Sequence, residues 1–291
     1  MRRARRRGRA KEAAIIVAVL VAAALVVVLA SPRHRAFYLG AAGRAEERAV
    51  SAGHSLRSIP LSRMSPVTSA AATPAERGKR PLVADAQGRL RVPLADEVPP
   101  RLPAEGVPPG WELWQFSGHG EVELVRSEAG VALRMRTEGG SFALYRSVVI
   151  DLAEFPRLTW AWKAVRLPAG GDVRERRTDD EAAQLYVVFP RWPSPRTQSE
   201  VIGYVWDTTA PVGTRLTSPK AENVRIIVVA SGHAELGTWQ RFERNVAADY
   251  QALFGQAPPR VGTLALMTDA NDTGSAAEVL VGDLAFAKNR P

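Results

Sequence analysis

The sequence contains no cysteine, which excludes disulfides, thiol nucleophiles and cysteine-held zinc. Histidine is scarce and scattered: His34, His54, His119 and His233 include no H-E-x-x-H and no pair at helical spacing, so a histidine-built metal or acid–base site has no starting material. There is no G-x-S-x-G elbow, no Walker loop, no dinucleotide fingerprint and no internal repeat. Long apolar runs are absent too, with one exception near the start of the chain.

A net charge of +9 suggests a nucleic-acid partner until it is divided along the chain. Residues 1–12 carry seven Arg and Lys against one Glu, and residues 13–110 carry twelve against seven. From Trp111 onward there are twenty basic residues against twenty-two acidic ones. A nucleic-acid footprint needs its basic residues on the folded domain, and here they lie in front of it, so no nucleic-acid partner is expected.

The single apolar run is residues 13–30, AAIIVAVLVAAALVVVLA, eighteen residues without a charge. At about 1.5 Å per residue its helix spans about 27 Å, close to the roughly 30 Å hydrocarbon core of a bilayer. Arg2, Arg3, Arg5, Arg6, Arg7, Arg9 and Lys11 precede it, whereas only Arg33 and Arg35 follow closely. This asymmetry predicts a single-pass anchor in a bacterial inner membrane, with residues 1–12 as a cytoplasmic tail and the C-terminal part periplasmic or extracellular. A cleaved signal peptide ending at Val28-Leu29-Ala30 is the alternative, and it exports the same domain.

Residues 31–110 show no sustained period. They are rich in Pro, Ala, Arg and Ser, and their large apolar residues are too sparse to offset the entropy of ordering, so they read as a disordered or extended linker. A short piece near Leu90 to Leu94 can still add an edge strand.

Residues 111–289 read as one β-rich domain. Segments alternating with period two are punctuated by Gly, Pro, Asp and Asn, with strands expected over 121–126, 131–136, 141–150, 157–166, 182–189, 200–206, 224–230, 238–244, 261–267 and 278–287. One helix interrupts them: Asn245 is its N-cap, Val246, Tyr250, Leu253 and Phe254 form a stripe, and Gly255 stops it. About ten strands and one short helix predict an all-β, two-sheet, jelly-roll-like β-sandwich.

Several short motifs agree in order with a known family. Trp160-Ala161-Trp162-Lys163, Asp179-Asp180, Leu185-Tyr186-Val187-Val188-Phe189, Tyr204-Val205-Trp206, Ser231-Gly232, Gly237-Thr238-Trp239, Asp249-Tyr250 and Met267-Thr268-Asp269, with Gly274 and Gly282-Asp283, resemble the domain of unknown function 3047 of exported bacterial proteins. The resemblance runs from about residue 111 to 286. It implies an exported β-rich domain and supplies no activity. Gly237-Thr238-Trp239, the late helix and the closing Gly282-Asp283-Leu284 are also similar to carbohydrate-binding jelly rolls, as a fold analogy.

Candidate site residues are those that packing leaves unexplained. Trp160 and Trp162 share an apolar strand face with Leu158 and Ala164, and Tyr204 and Trp206 share one with Ile202, so all four are expected in the core. Trp239 shares its face with Arg241 and Glu243, and Trp192 sits in the proline-rich loop Pro190-Arg191-Trp192-Pro193; each is either a ligand platform or a local packing residue. Asp179 and Asp180 form one acidic cluster, and Asp269, Asn271 and Asp272 form another with the oxygen donors that calcium takes. Asx-turns explain that second cluster equally. Because the strand after Asp180 carries Trp192 to its far end, the two acidic clusters are expected together, away from Trp192. Three functions stay open: a module binding glycan or another envelope ligand, a non-catalytic assembly partner in the envelope, and a carboxylate-dependent enzyme acting on envelope polysaccharide.

Overall fold

A computed structural model describes residues 82–191 and 199–289. The basic tail 1–12, the apolar run 13–30, the linker up to residue 81 and Trp192 lie outside the described residues. Among the described residues no helix is long and apolar enough to cross a membrane.

The described residues are mostly β, built as two seven-stranded sheets and one helix. The strands are β1 (Arg89–Arg91), β2 (Ala104–Glu105), β3 (Glu112–Ser117), β4 (Gly120–Ser127), β5 (Gly130–Glu138), β6 (Ser141–Ile150), β7 (Arg157–Arg166), β8 (Ala183–Phe189), β9 (Glu200–Asp207), β10 (Arg215–Thr217), β11 (Val224–Ser231), β12 (Gln240–Asn245), β13 (Val261–Asp269) and β14 (Ala276–Ala287). The first sheet runs β12-β7-β14-β5-β4-β2, with β1 also on β14; the second runs β10-β11-β9-β8-β13-β6-β3. All neighbours are antiparallel except β9 and β11.

Alternation decides what lies between the sheets. Trp160, Trp162, Tyr204 and Trp206 are buried in the core, as their apolar faces require. Ile226 and Val228, facing away from the main core, close a second small one with Val173 and Val205, which explains why β11 is apolar on both sides. The helix α1 (Val246–Phe254) is capped at both ends. Asn245 accepts the N–H of Ala248 at 3.0 Å, and Gly255 takes φ 72°, a conformation that costs glycine no side-chain clash. Tyr250 packs its ring 4.6 Å from that of Phe189, and buried Asp249 accepts from Tyr204 Oη at 2.9 Å and pairs with Arg244, fixing the helix to the sandwich.

Residues 82–110 depart from the expected linker. Leu90, Val92, Ala95 and Trp111 are buried, and β1 pairs with the second half of β14 where β5 has stopped. The segment is held by a polar pair as well as by packing. Arg146, on the inner face of β6 and only 5% exposed, donates to Asp96 Oδ1 at 2.5 Å, its guanidinium lies 5.8 Å from the Trp111 ring, and Trp111 Nε1 donates to Pro93 O at 3.2 Å. Four strands exceed the expected ten: β1 and β2, two or three residues among prolines with no periodicity to read, and β3 and β10.

Candidate functional site

The two outer faces of the sandwich differ in kind. On the first sheet the outward residues form an ionic ladder. Arg134 donates to Glu278 at 2.7 Å and to Glu123 at 2.9 Å, Arg136 pairs with Glu121, Lys163 reaches Glu128 at 2.6 Å, and Arg157 pairs with Glu243. Trp239 belongs to this side. Its half-buried ring rests against β14 at Gly282, where a Cβ would stand 3.4 Å from Cζ3 and Cη2, an ordinary contact. Two shallow depressions of about 230 and 240 Å³ also open here, beside Arg241 and Asp283 and beside Arg136 and Glu278, where the charged walls are already paired.

The second sheet presents rings instead of ion pairs. Alternation sends Leu185, Val187, Leu264, Leu266, Phe142 and Leu144 inward and Gln184, Tyr186, Ala265, Met267, Ala143 and Tyr145 outward. Register then lines up Glu112, Tyr145, Ala265, Tyr186 and Gly203 in one row across β3, β6, β13, β8 and β9. Trp114, also on β3, sets its ring 5.1 Å from that of Tyr145 and is 48% exposed; both tyrosines are half-buried. Small residues make this row. A Cβ on Gly203 would come within 2.7 Å of Tyr186 Cε1, so the ring leans over β9 only because that side chain is missing. Tyr186 Oη donates to Gln184 Oε1 at 2.5 Å, and Gln184 Nε2 donates to Glu181 O at 3.2 Å, which ties the row to the loop before β8. Beyond Gly203 the face is closed by Val173, packed on Val205, Ile226 and Val228.

That loop carries the acids. Asp180 Oδ1 accepts the N–H of Asp272 at 3.1 Å and its Oδ2 that of Thr273 at 2.6 Å, so one carboxylate joins the loop before β8 to the loop after β13. Lys220, from the turn between β10 and β11, donates to Asp272 Oδ2 at 2.5 Å and to Asp179 O at 3.0 Å, and lies 3.4 Å from Asp179 Oδ2. Glu181 is 2% exposed and its Oε1 has no hydrogen-bond partner.

Burial governs the protonation of these groups. It pushes Asp179 up to about 6 against the pull of Lys220, and Asp269 up to about 7 with the carboxyl of Asp180 adding to it. Glu181 is driven well above its ordinary value by burial and then by Asp179, Asp207 and Asp269. Burial opposes the charge on Lys220, yet the hydrogen bond to Asp272 and the field of Asp179 hold its pKa above the usual lysine value. The Tyr186 hydroxyl is raised well above its usual value by burial and by Glu181.

Of the residues singled out from sequence, Asp179, Asp180, Asp269 and Asp272 come together at one end of the second sheet. Trp239 sits on the other sheet, and Trp192 lies outside the described residues. The expectation of calcium on Asp269, Asn271 and Asp272 needs correcting. Asn271 Nδ2 donates to Asp272 Oδ1 at 3.0 Å, the Lys220 ammonium takes the other oxygen of Asp272, and Asp269 Oδ1 accepts the N–H of Asn271 at 3.4 Å. Among the described residues no group of three or more His, Cys, Asp or Glu is gathered to hold a metal. A lysine stands where the cation was expected.

The sequence of this domain is matched by a family. Residues 109–285 match the one described as protein of unknown function (DUF3047). The chain belongs to the DUF3047 family. No curated protein matches this DUF3047 chain. Among solved structures it is similar to a carbohydrate-binding module of the β-sandwich superfamily, at 12% identity and TM-score 0.35, over 62% of this chain and 57% of that one. It is also similar to CtCBM11, at 10% identity and TM-score 0.37 over 72% and 100% of the two chains, and to the family 11 xylanase from Neocallimastix patriciarum, at 11% and 0.37 over 71% and 98%. These likenesses concern the layout of two stacked sheets and carry no weight for the site of the DUF3047 domain.

Sequence reasoning missed Trp114, Tyr145, Tyr186, Gln184 and Lys220. A signal existed for the tyrosines: in β6 and β8 they fall on the face opposite the large aliphatic residues. Trp114 and Lys220 carried none.

Proposed function

We propose that this DUF3047 domain is a glycan-binding module, displayed on the outer side of a membrane and anchored there by residues 13–30. The observation that carries the binding reading is the row Trp114, Tyr145 and Tyr186 on a sheet face free of ion pairs. A sugar ring has an apolar C–H surface and a hydroxyl rim. Aromatic rings lying along a sheet cover the first, while phenol and amide groups beside them meet the second. The anchor and orientation rest on the charge asymmetry around residues 13–30.

Enzymatic cleavage is the weaker reading. Glycoside hydrolysis needs two carboxyl groups on either side of the scissile bond, whereas Asp179, Glu181 and Asp269 are 7%, 2% and 4% exposed and face one another. The test is affinity electrophoresis of residues 82–291 against a panel of polysaccharides, with Trp114→Ala and Tyr186→Ala. Stacked rings contribute about 0.5–1.5 kcal/mol each beyond the area they bury, so each variant should lose about tenfold or more in affinity. If no polysaccharide is retarded, or both variants bind like the parent, the glycan reading fails and a protein partner takes its place. A reporter fused after Pro291 should be active only outside the cytoplasm; activity inside overturns the orientation.

A further inference from the structure

We infer that the aromatic face takes an uncharged polysaccharide, lying across the strands from β3 toward β8, and turns away polyanions. The inference rests on the glycan reading above and adds the chemistry of the ligand.

Direction comes from register. Tyr145 and Tyr186 are separated by β13 alone, two strand spacings or about 10 Å, and Trp114, opposite Ala143 on the β3 edge, leans its ring diagonally to Tyr145. A ligand touching all three runs perpendicular to the strands and needs several linked rings. Along the strands, by contrast, each tyrosine has no aromatic neighbour: Ala143 and Ser147 flank Tyr145, and Gln184 and Val188 flank Tyr186.

Charge sets the class. Exposed Glu112 stands beside Tyr145 at one end of the row. To the side of the row, beyond Gln184 at the start of β8, the loop brings Asp179, Asp180 and Glu181 against Asp207, Asp269 and Asp272. The cations at this end are Lys220, Arg174, Arg176 and the exposed Arg177, against a larger number of acids. Lys220 is bound between Asp179 and Asp272, Arg174 is bound to Asp172, and Arg176 donates to Pro219 O. The row itself, Glu112, Tyr145, Ala265, Tyr186 and Gly203, includes no arginine, whose fork is what recognises a carboxylate or phosphate. The groups that are offered, the rings and phenols of Tyr145 and Tyr186, suit a sugar's C–H face and its hydroxyls.

The experiment compares xylan and mixed-linkage glucan with polygalacturonate on residues 82–291 at about pH 8, above the values of about 6 for Asp179 and about 7 for Asp269, in about 20 mM and about 200 mM salt. A neutral chain should bind with the same affinity at both salt levels. Polygalacturonate should not bind at the lower salt, and Glu112→Gln should bring its binding into the measurable range. Polygalacturonate binding as tightly as the neutral chains overturns this inference and leaves the glycan reading standing. A Glu112→Gln variant that still excludes polygalacturonate also overturns it, because the exclusion is then not one of charge. Binding of none of the chains removes both.

Discussion

Removing residues 82–110 takes packing, pairing and a counter-ion from the sandwich at once. Leu90 and Val92 are 7% and 2% exposed, and burying an aliphatic side chain contributes about 1.5–3 kcal/mol, or about 4 kcal/mol for the two. Without Asp96, Arg146 stays on the inner face of β6 as a charge 5% exposed with no carboxylate. Breaking a buried pair in this way costs about 3–5 kcal/mol, and the lower end applies because Asp96 keeps a 21% exposed side chain. The total of about 7 kcal/mol compares with the roughly 5–15 kcal/mol by which a domain is stable. Thermal and urea unfolding of chains beginning at Leu82 and at Trp111, followed by circular dichroism, check this. The longer chain should unfold cooperatively and the shorter one should be unfolded or severely destabilised. Asp96→Ala in the longer chain isolates the ionic part and should lower Tm by about 6–12 °C, the equivalent of about 3 kcal/mol for a domain of this size. Equal melting points for the two chains would refute the assignment of residues 82–110 to the fold.

Acidification should stabilise the domain. A carboxyl whose pKa is raised by folding holds its proton in the folded chain after the unfolded chain has lost it, so stability falls as pH climbs from about 4, the unfolded value, through the folded values of about 6 for Asp179 and about 7 for Asp269. Tm should therefore drop by several degrees between about pH 5 and about pH 8, and Asp269→Asn should flatten the slope; a Tm rising over that range refutes it. Lys220→Met should destabilise more at the upper pH than at the lower, because it strands Asp179 and Asp272, whereas chelator should leave the parent Tm unchanged. Gly203→Ala places a Cβ within 2.7 Å of Tyr186 Cε1 and should weaken glycan binding while Tm moves by only a few degrees, which affinity electrophoresis and a melt read together.

The central strands were legible because each repeats its alternation over enough residues to show. In β7, Leu158, Trp160, Trp162 and Ala164 are all buried, while Arg157, Thr159 and Lys163 between them face out. The helix was legible for a local reason, since Asn245 and Gly255 mark its ends whatever surrounds it. By contrast, β1 exists because β14 outruns β5 and leaves backbone groups to be paired, a requirement written more than a hundred residues away. The meeting of Asp180 with Asp272 followed from a topological argument about strand ends. Lys220 between them did not, because a lone lysine in a turn has no pattern, and its partners come from two other loops. The ring row was hidden for a related reason. Its members lie on three strands that are not consecutive in sequence, and only register makes Trp114, Tyr145 and Tyr186 neighbours.

The place of β14 has a consequence for how the molecule comes into being. It follows every other strand in chain order, yet it lies inside the first sheet, between β7 on one side and β5 and β1 on the other. A nascent chain that lacks it can form the β4–β5 hairpin and the β7–β12 pair, but nothing joins the two halves. Closure must therefore wait until synthesis has passed residue 287. Partners this distant in sequence also make folding slow. Until then the first sheet stays in two separate halves.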